Sequence, residues 1–229
     1  MKIGIAIVSR FNSTRLPGKA LIEIFNKTLL QHIIDRVSIL KPEIDYCIAT
    51  SESIIDEPII NFCRTNGYKY FRGSLNNVAH RLLSCALKNN WDYIIRINGD
   101  NLFVEVEIIK DLISQAKTDR FDFLSNVPER TFPYGMSVEI LKTTFFLKTI
   151  NSIKNLFDQE HVTSWLYKNE SIGSRYYLKN ENLKHISGLK LAIDNEEDIK
   201  FANKIFNLLP NVKNIQMKDI SDLANQGLI

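Results

Sequence analysis

Lys2-Ile3-Gly4-Ile5-Ala6-Ile7-Val8 runs directly into Ser9-Arg10-Phe11-Asn12-Ser13-Thr14-Arg15-Leu16-Pro17-Gly18-Lys19. Lys2 to Val8 is continuous, apolar and too short for a helix, the pattern of a strand buried on both faces. The polar stretch after it therefore lies at a strand's C-terminal end, where open α/β sheets bind ligands. It carries Arg10, Arg15 and Lys19 together with hydroxyl side chains and many backbone amides. A polyphosphate calls for that mixture, with Arg forks for bidentate contacts and Lys as a point charge. The first acidic residue of the chain is Glu23, so the basic charge here is locally unopposed. The alternative for the same composition is a solvated basic loop. A Walker A loop ending at Gly18-Lys19 does not fit, because Ser13 stands where it needs Gly and Ala20 where it needs Ser or Thr. No GxGxxG follows the strand either.

Working outward, apolar runs alternate with helix-period segments. Strands are expected at Tyr46–Thr50, Tyr68–Phe71 and Trp91–Ile97, and helices at Leu29–Leu40, Ile54–Asn66, Val78–Lys88 and Val104–Ala116. This order predicts a parallel sheet with helices on both faces. The second half is less regular. Phe121–Asn126, Met136–Leu141 and Leu189–Ile193 read as strands; Leu141–Ile153, Glu160–Lys168 and Glu196–Leu208 read as helices, the last with Asp194-Asn195 as cap candidates. No linker stands out between about 120 and 185, so that stretch reads as an insertion in one domain spanning 1–229.

The bulk numbers exclude more than they identify. With 229 residues, 45% hydrophobic and 24% charged, the chain is an ordinary globule and not a disordered one. No apolar run reaches the roughly 20 residues of a membrane span, and no signal peptide is expected. Cys47, Cys63 and Cys85 are an odd, widely spaced set that suits a reducing cytoplasm and makes neither a disulfide framework nor a zinc site. A net charge of +3 argues for neither nucleic acid nor an anionic membrane as a partner.

Two acidic turns complete the candidate site. Arg96-Ile97-Asn98-Gly99-Asp100-Asn101 places a carboxylate after a tight turn at a strand end, where it can hold a hard cation such as Mg2+; a turn aspartate bonding its own backbone is the alternative. Leu191-Ala192-Ile193-Asp194 ends another apolar run just before a helix. Asp194 is there an N-cap on its own or, with Asp100, a second metal-holding carboxylate. Glu196, Glu197 and Asp198 complement the helix dipole. Gly73-Ser74 approaches a base or sugar, or makes a plain turn. His161 alone has an ordinary core or surface role.

Taken together, Ser9-Arg10 with Ser13-Thr14-Arg15-Leu16-Pro17-Gly18-Lys19-Ala20-Leu21 resembles the opening of the cytidylyltransferase family, which includes the acylneuraminate and 3-deoxy-manno-octulosonate enzymes. The spore coat polysaccharide biosynthesis branch is the most similar. Further echoes fall in order: Ile48-Ala49-Thr50-Ser51, Phe71-Arg72-Gly73-Ser74, Tyr93 to Asp100, Arg130 to Glu139, Glu160-His161-Val162-Thr163, and Leu191 to Asp198. The resemblance implies a Rossmann-like nucleotide-diphospho-sugar transferase fold with a mixed, mostly parallel sheet. It implies CTP and an acidic sugar as substrates, a CMP-sugar and pyrophosphate as products, Mg2+ as cofactor and a homodimer. It assigns Ser9, Arg10, Ser13, Thr14, Arg15, Lys19, Ser74 and Gly99 to the nucleotide. Arg15, Lys19 and Asp100 become catalytic, Asp100 and Asp194 become metal ligands, and Asn101, Tyr134, Glu139 and His161 become sugar contacts. The segment at about 128–178 would supply sugar binding and pairing.

The chain departs from the family in places. Ser9 and Val8 replace the usual Ala and Pro, Asn77 replaces Asp, His80 interrupts its helix, and Asp100-Asn101-Leu102 lacks the common Pro. These changes spare the phosphate and metal groups and bear on the sugar and on strictness for cytosine. Two other functions compete. A glycosyltransferase on a related fold would carry Asp-x-Asp, which occurs nowhere in the chain. A non-catalytic nucleotide-binding protein would have little reason to retain Arg10, Arg15, Lys19, Asp100 and Asp194.

Overall fold

The computed structural model describes residues 1–209 and 215–229. In chain order the elements are β1 (Ile3–Val8), β2 (Glu23–Ile24), β3 (Lys27–Thr28), α1 (Leu29–Val37), β4 (Asp45–Ser51), α2 (Glu57–Asn66), β5 (Tyr70–Gly73), α3 (Val78–Lys88), β6 (Tyr93–Asn98) and α4 (Val106–Ala116). Then follow β7 (Phe123–Ser125), β8 (Glu139–Lys142), α5 (Thr143–Thr149), α6 (Leu156–Glu160), α7 (Ser164–Lys168), β9 (Arg175–Tyr177), α8 (Glu196–Leu208) and α9 (Met217–Asn225).

One seven-stranded sheet organises them in the order β5-β4-β1-β6-β8-β7-β9. The pairs from β5 to β6 are parallel, β8 is antiparallel to β6 and β7, and β9 is parallel to β7. The sheet is therefore mixed and mostly parallel, as expected. Strand alternation splits the core in two. Ile3, Ile5 and Ile7 face one apolar cluster with α1, α4, α8 and α9. Ala6 faces the other, with α3, α5 and α7. A sheet covered on both faces is why β1 reads as an unbroken apolar run.

The first-half elements stand close to their expected positions. The second half differs in instructive ways. Leu189–Ile193 is not a sheet strand. Leu191, Ala192 and Ile193 are buried, but the segment's backbone forms one bridge, between Lys190 and Tyr134, and the Ile193 N–H donates to the Asp100 carbonyl at 3.0 Å. Met136–Leu141 starts as strand only at Glu139, because the side chain of Asn126 takes the ladder's place: it donates to the Met136 carbonyl and accepts from the Val138 N–H. Leu141–Ile153 shortens to α5 followed by a 3-10 turn at Ile150–Ser152. Glu160–Lys168 is broken: Glu160 closes α6, Val162 sits at a φ of 30°, and α7 starts at Ser164. The β2–β3 hairpin, β9 and α9 have no counterpart in the sequence reading.

Candidate active site

Beyond the C-terminal ends of β1 and β6 opens a cleft of about 350 Å3. Its first wall is the loop after β1, and the loop's shape has a local cause. The Phe11 carbonyl accepts from Ser13 N–H and Gly18 N–H, both at 3.0 Å, closing residues 11–18 into a compact turn. The Phe11 N–H donates to Asp56 Oδ1 at 2.7 Å. Asp56 is 1% exposed and also accepts from Thr50 Oγ1, Ser51 N–H and Ser51 Oγ at the end of β4. The loop is thus bound to the neighbouring strand through one buried carboxylate, which sequence reasoning missed: nothing in Ile54-Ile55-Asp56 marks it.

The second wall is the turn after β6. Gly99 N–H donates to the Val8 carbonyl at 2.8 Å, and a Cβ on Gly99 would stand 2.8 Å from Ser9 Cβ. Only glycine lets this turn press against the first loop, and that contact sets Asp100 beside Lys19. Lys19 Nζ donates to Asp100 Oδ2 at 3.1 Å, to the Ile193 carbonyl at 2.9 Å and to Asp194 Oδ1 at 3.4 Å. Arg15 Nη2 donates to Asp194 Oδ1 at 2.8 Å. Asp194 does not cap α8. Asn195 does, in a capping box with Asp198, and Asp198 also accepts the Asp194 N–H at 2.7 Å. The cap thereby leaves the Asp194 carboxylate, 4% exposed, for Lys19 and Arg15.

The cleft brings together Ser9, Arg10, Ser13, Thr14, Arg15, Lys19, Gly99, Asp100, Tyr134, His161 and Asp194. It does not include the other sequence candidates. Asn101 is buried and donates to the Ser137 carbonyl at 3.0 Å. Glu139 is buried in β8, where it pairs with Arg96 and accepts from Tyr167 Oη; it reaches the cleft only through Arg96. Burial pushes the Tyr167 phenol upward, and Glu139 adds to the shift. Ser74 accepts the Asn77 N–H and lines an adjoining cavity with Arg72, Leu75 and His80. Lining residues that the sequence reading did not single out for the site are Val78, Arg81, Arg96, Asn98 and Glu160. Arg10 pairs with Glu160, so the break between α6 and α7 delivers a carboxylate to the first loop. Five cations, Arg10, Arg15, Lys19, Arg81 and Arg96, outnumber the three carboxylates of the lining. The cleft is built for an anion.

A basic loop after the first strand, carboxylates from two segments beside it and this sheet order are features of a nucleotidyltransferase fold. The profile of the family described as Cytidylyltransferase matches residues 5–223. The chain belongs to that family and is a CTP-dependent nucleotidyltransferase. It is similar to the spore coat polysaccharide biosynthesis protein SpsF of Bacillus subtilis, 27% identical over 96% of this chain and 93% of that one. Over 49% of this chain and 42% of the other it is 34% identical to the 3-deoxy-manno-octulosonate cytidylyltransferase of Psychrobacter sp.. A solved cytidylyltransferase structure from Leptospira borgpetersenii superposes with a TM-score of 0.89 at 26% identity, covering 100% of this chain and 97% of that one.

Proposed function

We propose that the protein transfers CMP from CTP to a hydroxyl of an acidic sugar, with Mg2+, for surface polysaccharide or glycan synthesis. The observation that carries this reading is the convergence on Lys19 Nζ, which touches carboxylates from two separate segments, Asp100 and Asp194. The sugar oxygen attacks the α-phosphorus, the bond to the β-phosphate oxygen breaks, pyrophosphate leaves with the electron pair, and the hydroxyl proton passes to solvent. Arg15 and Lys19 counter charge on the transferring and leaving groups. Arg15 pairs with Asp194 from a side chain 67% exposed, on the open side of the cleft that the phosphates would enter.

Asp100 and Asp194 fit Mg2+. Both are hard oxygen donors, and among the described residues no group of three or more His, Cys, Asp or Glu forms a complete cage. An ion that keeps waters and shares substrate phosphates needs only one or two carboxylates. When bound, it supplies charge neutralisation and polarisation of phosphoryl oxygens.

Tyr134 and His161 at the cleft edge support a sugar site formed by the segment at about 128–178. The same segment exposes Leu147, Leu156 and Phe157, which supports a homodimer; light scattering of the purified chain would read its mass. Three free, buried cysteines fit a cytoplasmic setting.

The test is pyrophosphate release from CTP and Mg2+ with a panel of acidic and neutral sugars. Release with an acidic sugar is expected, and Asp100→Asn should lower it by at least about 100-fold with an unchanged circular dichroism spectrum. Near-normal turnover by that variant would overturn the metal assignment. Turnover on neutral sugars alone would overturn the acidic acceptor.

A further inference from the structure

The lining of the cleft includes a cation that is used neither by the phosphate chemistry nor, among the described residues, by an ion pair. Arg81, on α3, is 1% exposed, yet among the described residues no carboxylate bonds it. Its Nη1 donates to the Ser74 carbonyl at 2.9 Å, while Nε and Nη2 find no partner among the described residues. Two buried, unmet donors on a charged group are a substantial cost. Burial, with Arg10 nearby, lowers the guanidinium's pKa to about 10, so it remains charged at neutral pH. The surrounding chain is shaped to keep this side chain in place. A Cβ on Gly73 would stand 2.9 Å from Arg81 Cγ, so the strand end before α3 is stripped to glycine against the arginine stem. The cost is therefore built in, and a ligand in the cleft is what can return it.

The free donors identify that ligand's edge. With Nη1 committed, the Nε–H and one Nη2–H point in parallel, in the guanidinium plane, from one edge of the group. They match two adjacent acceptors in one plane, as an arginine matches a guanine edge. Location separates a base from a phosphate. The Asp100 turn follows β6, whereas β4 and β5, which lead into α3, lie on the other side of β1. Val8 and Val78 line the cleft with Arg81, offering apolar contact to a ring. Arg10, on the neighbouring carbonyl of Leu75, is already neutralised by Glu160.

We propose that Arg81 reads the O2 and N3 acceptors of cytosine and thereby sets the preference for CTP over UTP. Uracil carries a hydrogen on N3, so it would set a donor against a donor. The proposal rests on the reading of this cleft as the CTP site and adds the residue that selects the base.

The test is binding to the full chain with Mg2+, followed by calorimetry, using CTP, UTP and 3-deaza-CTP, which lacks the N3 acceptor. The unmodified protein should bind CTP roughly 10- to 100-fold tighter than either analogue. Arg81→Lys and Arg81→Gln should bring those ratios to within about threefold of unity. A purely structural role would weaken all three nucleotides together and leave the ratios unchanged, which would overturn the proposal. So would equal binding of CTP and 3-deaza-CTP by the unmodified protein, a comparison that decides even where the variants do not fold. A loss confined to the KM of the acidic sugar would instead assign the fork to a carboxylate and overturn it. Absence of CTP binding altogether would be a different result, against the nucleotide site itself.

Discussion

Asp56 is a buried carboxyl group with no cation bonded to it among the described residues; N–H and O–H donors from the first loop and from β4 satisfy it. Its role is positional: it never lines the cleft, but it fixes Phe11, and the Phe11 carbonyl fixes both ends of the loop that carries Arg15 and Lys19. Asn in its place keeps the shape and sets an amide N–H against donors it cannot accept. Hydrogen bonds to a charged acceptor are worth about 1.5–3 kcal/mol, so Asp56→Asn should raise the KM for CTP about tenfold or more. Steady-state kinetics at saturating sugar would read it; an unchanged KM would remove Asp56 from the loop's support. Lys19 shows a related economy at this scale. One ammonium holds two carboxylates in register.

At the level of elements, the break between α6 and α7 sets Glu160 against Arg10, and the bridge between Tyr134 and Lys190 holds the segment that leads to Asp194. Asp158 ties the two short helices together. It is 2% exposed and accepts from Ser164 Oγ and from Lys168 Nζ at 2.8 Å. Lys168, with Ser164, holds its carboxyl down at about 2. A carboxyl lowered in the folded state stabilises fully above its unfolded value near 4, and the contribution disappears as pH falls through about 2. The stability gap between the native chain and Asp158→Asn should therefore be constant above about pH 4 and shrink toward pH 2. Thermal melts of both proteins across that range would show it. Gly135 is the corresponding control point of the bridge. Its φ is 102°, and a Cβ there would lie 2.3 Å from Ala192 N, within the segment that leads to Asp194. Gly135→Ala should cost about 1–3 kcal/mol in strain, more with the clash, and reduce turnover beyond its effect on folding. Urea titration and pyrophosphate release, measured on the same preparation, separate the two effects.

For the whole molecule, the chain's last helix closes the core on the face away from α3. Ile220 and Leu223 of α9 and Ile215 before it are buried. Arg36 Nη1 donates to the Ile215 carbonyl at 2.8 Å, and the Met217 N–H donates to Glu105 Oε2 at 2.6 Å. Burial lowers the pKa of Arg36 to about 10 and raises that of Glu105. Deleting residues 215–229 would remove three buried aliphatic side chains, each worth about 1.5–3 kcal/mol, and uncover the core they pack against. It would also strip bonding partners from two buried ionisable groups. Set against a typical stability of about 5–15 kcal/mol, that loss should leave the truncated chain unfolded or insoluble. A cooperative melt near that of the full chain would show α9 to be dispensable. Among the described residues no helix is long and apolar enough to cross a membrane.

The sequence by itself determined the parallel half of the sheet and the chemistry-bearing residues on it. Strand β1, its basic loop and the Gly99-Asp100 turn are local patterns, because a run of apolar residues between polar turns has few ways to be buried. Asp194 was also legible as a strand-end carboxylate, though whether it capped the helix was not. Only the tertiary structure decided that Asn195 takes the cap and leaves Asp194 to Lys19. It likewise decided that Asn101 and Glu139 are buried, that Asn126 stands in for a strand ladder, and that Glu160 crosses to Arg10. It alone brought Asp56 and Arg81 into the argument. Most of these depend on a distant partner: Asp194 on Lys19, Asn101 on Ser137, Glu139 on Arg96, Glu160 on Arg10 and Asp56 on Phe11. Residue type and spacing record which groups can bond, but a buried polar group's partner is chosen by the packing that removes water from it.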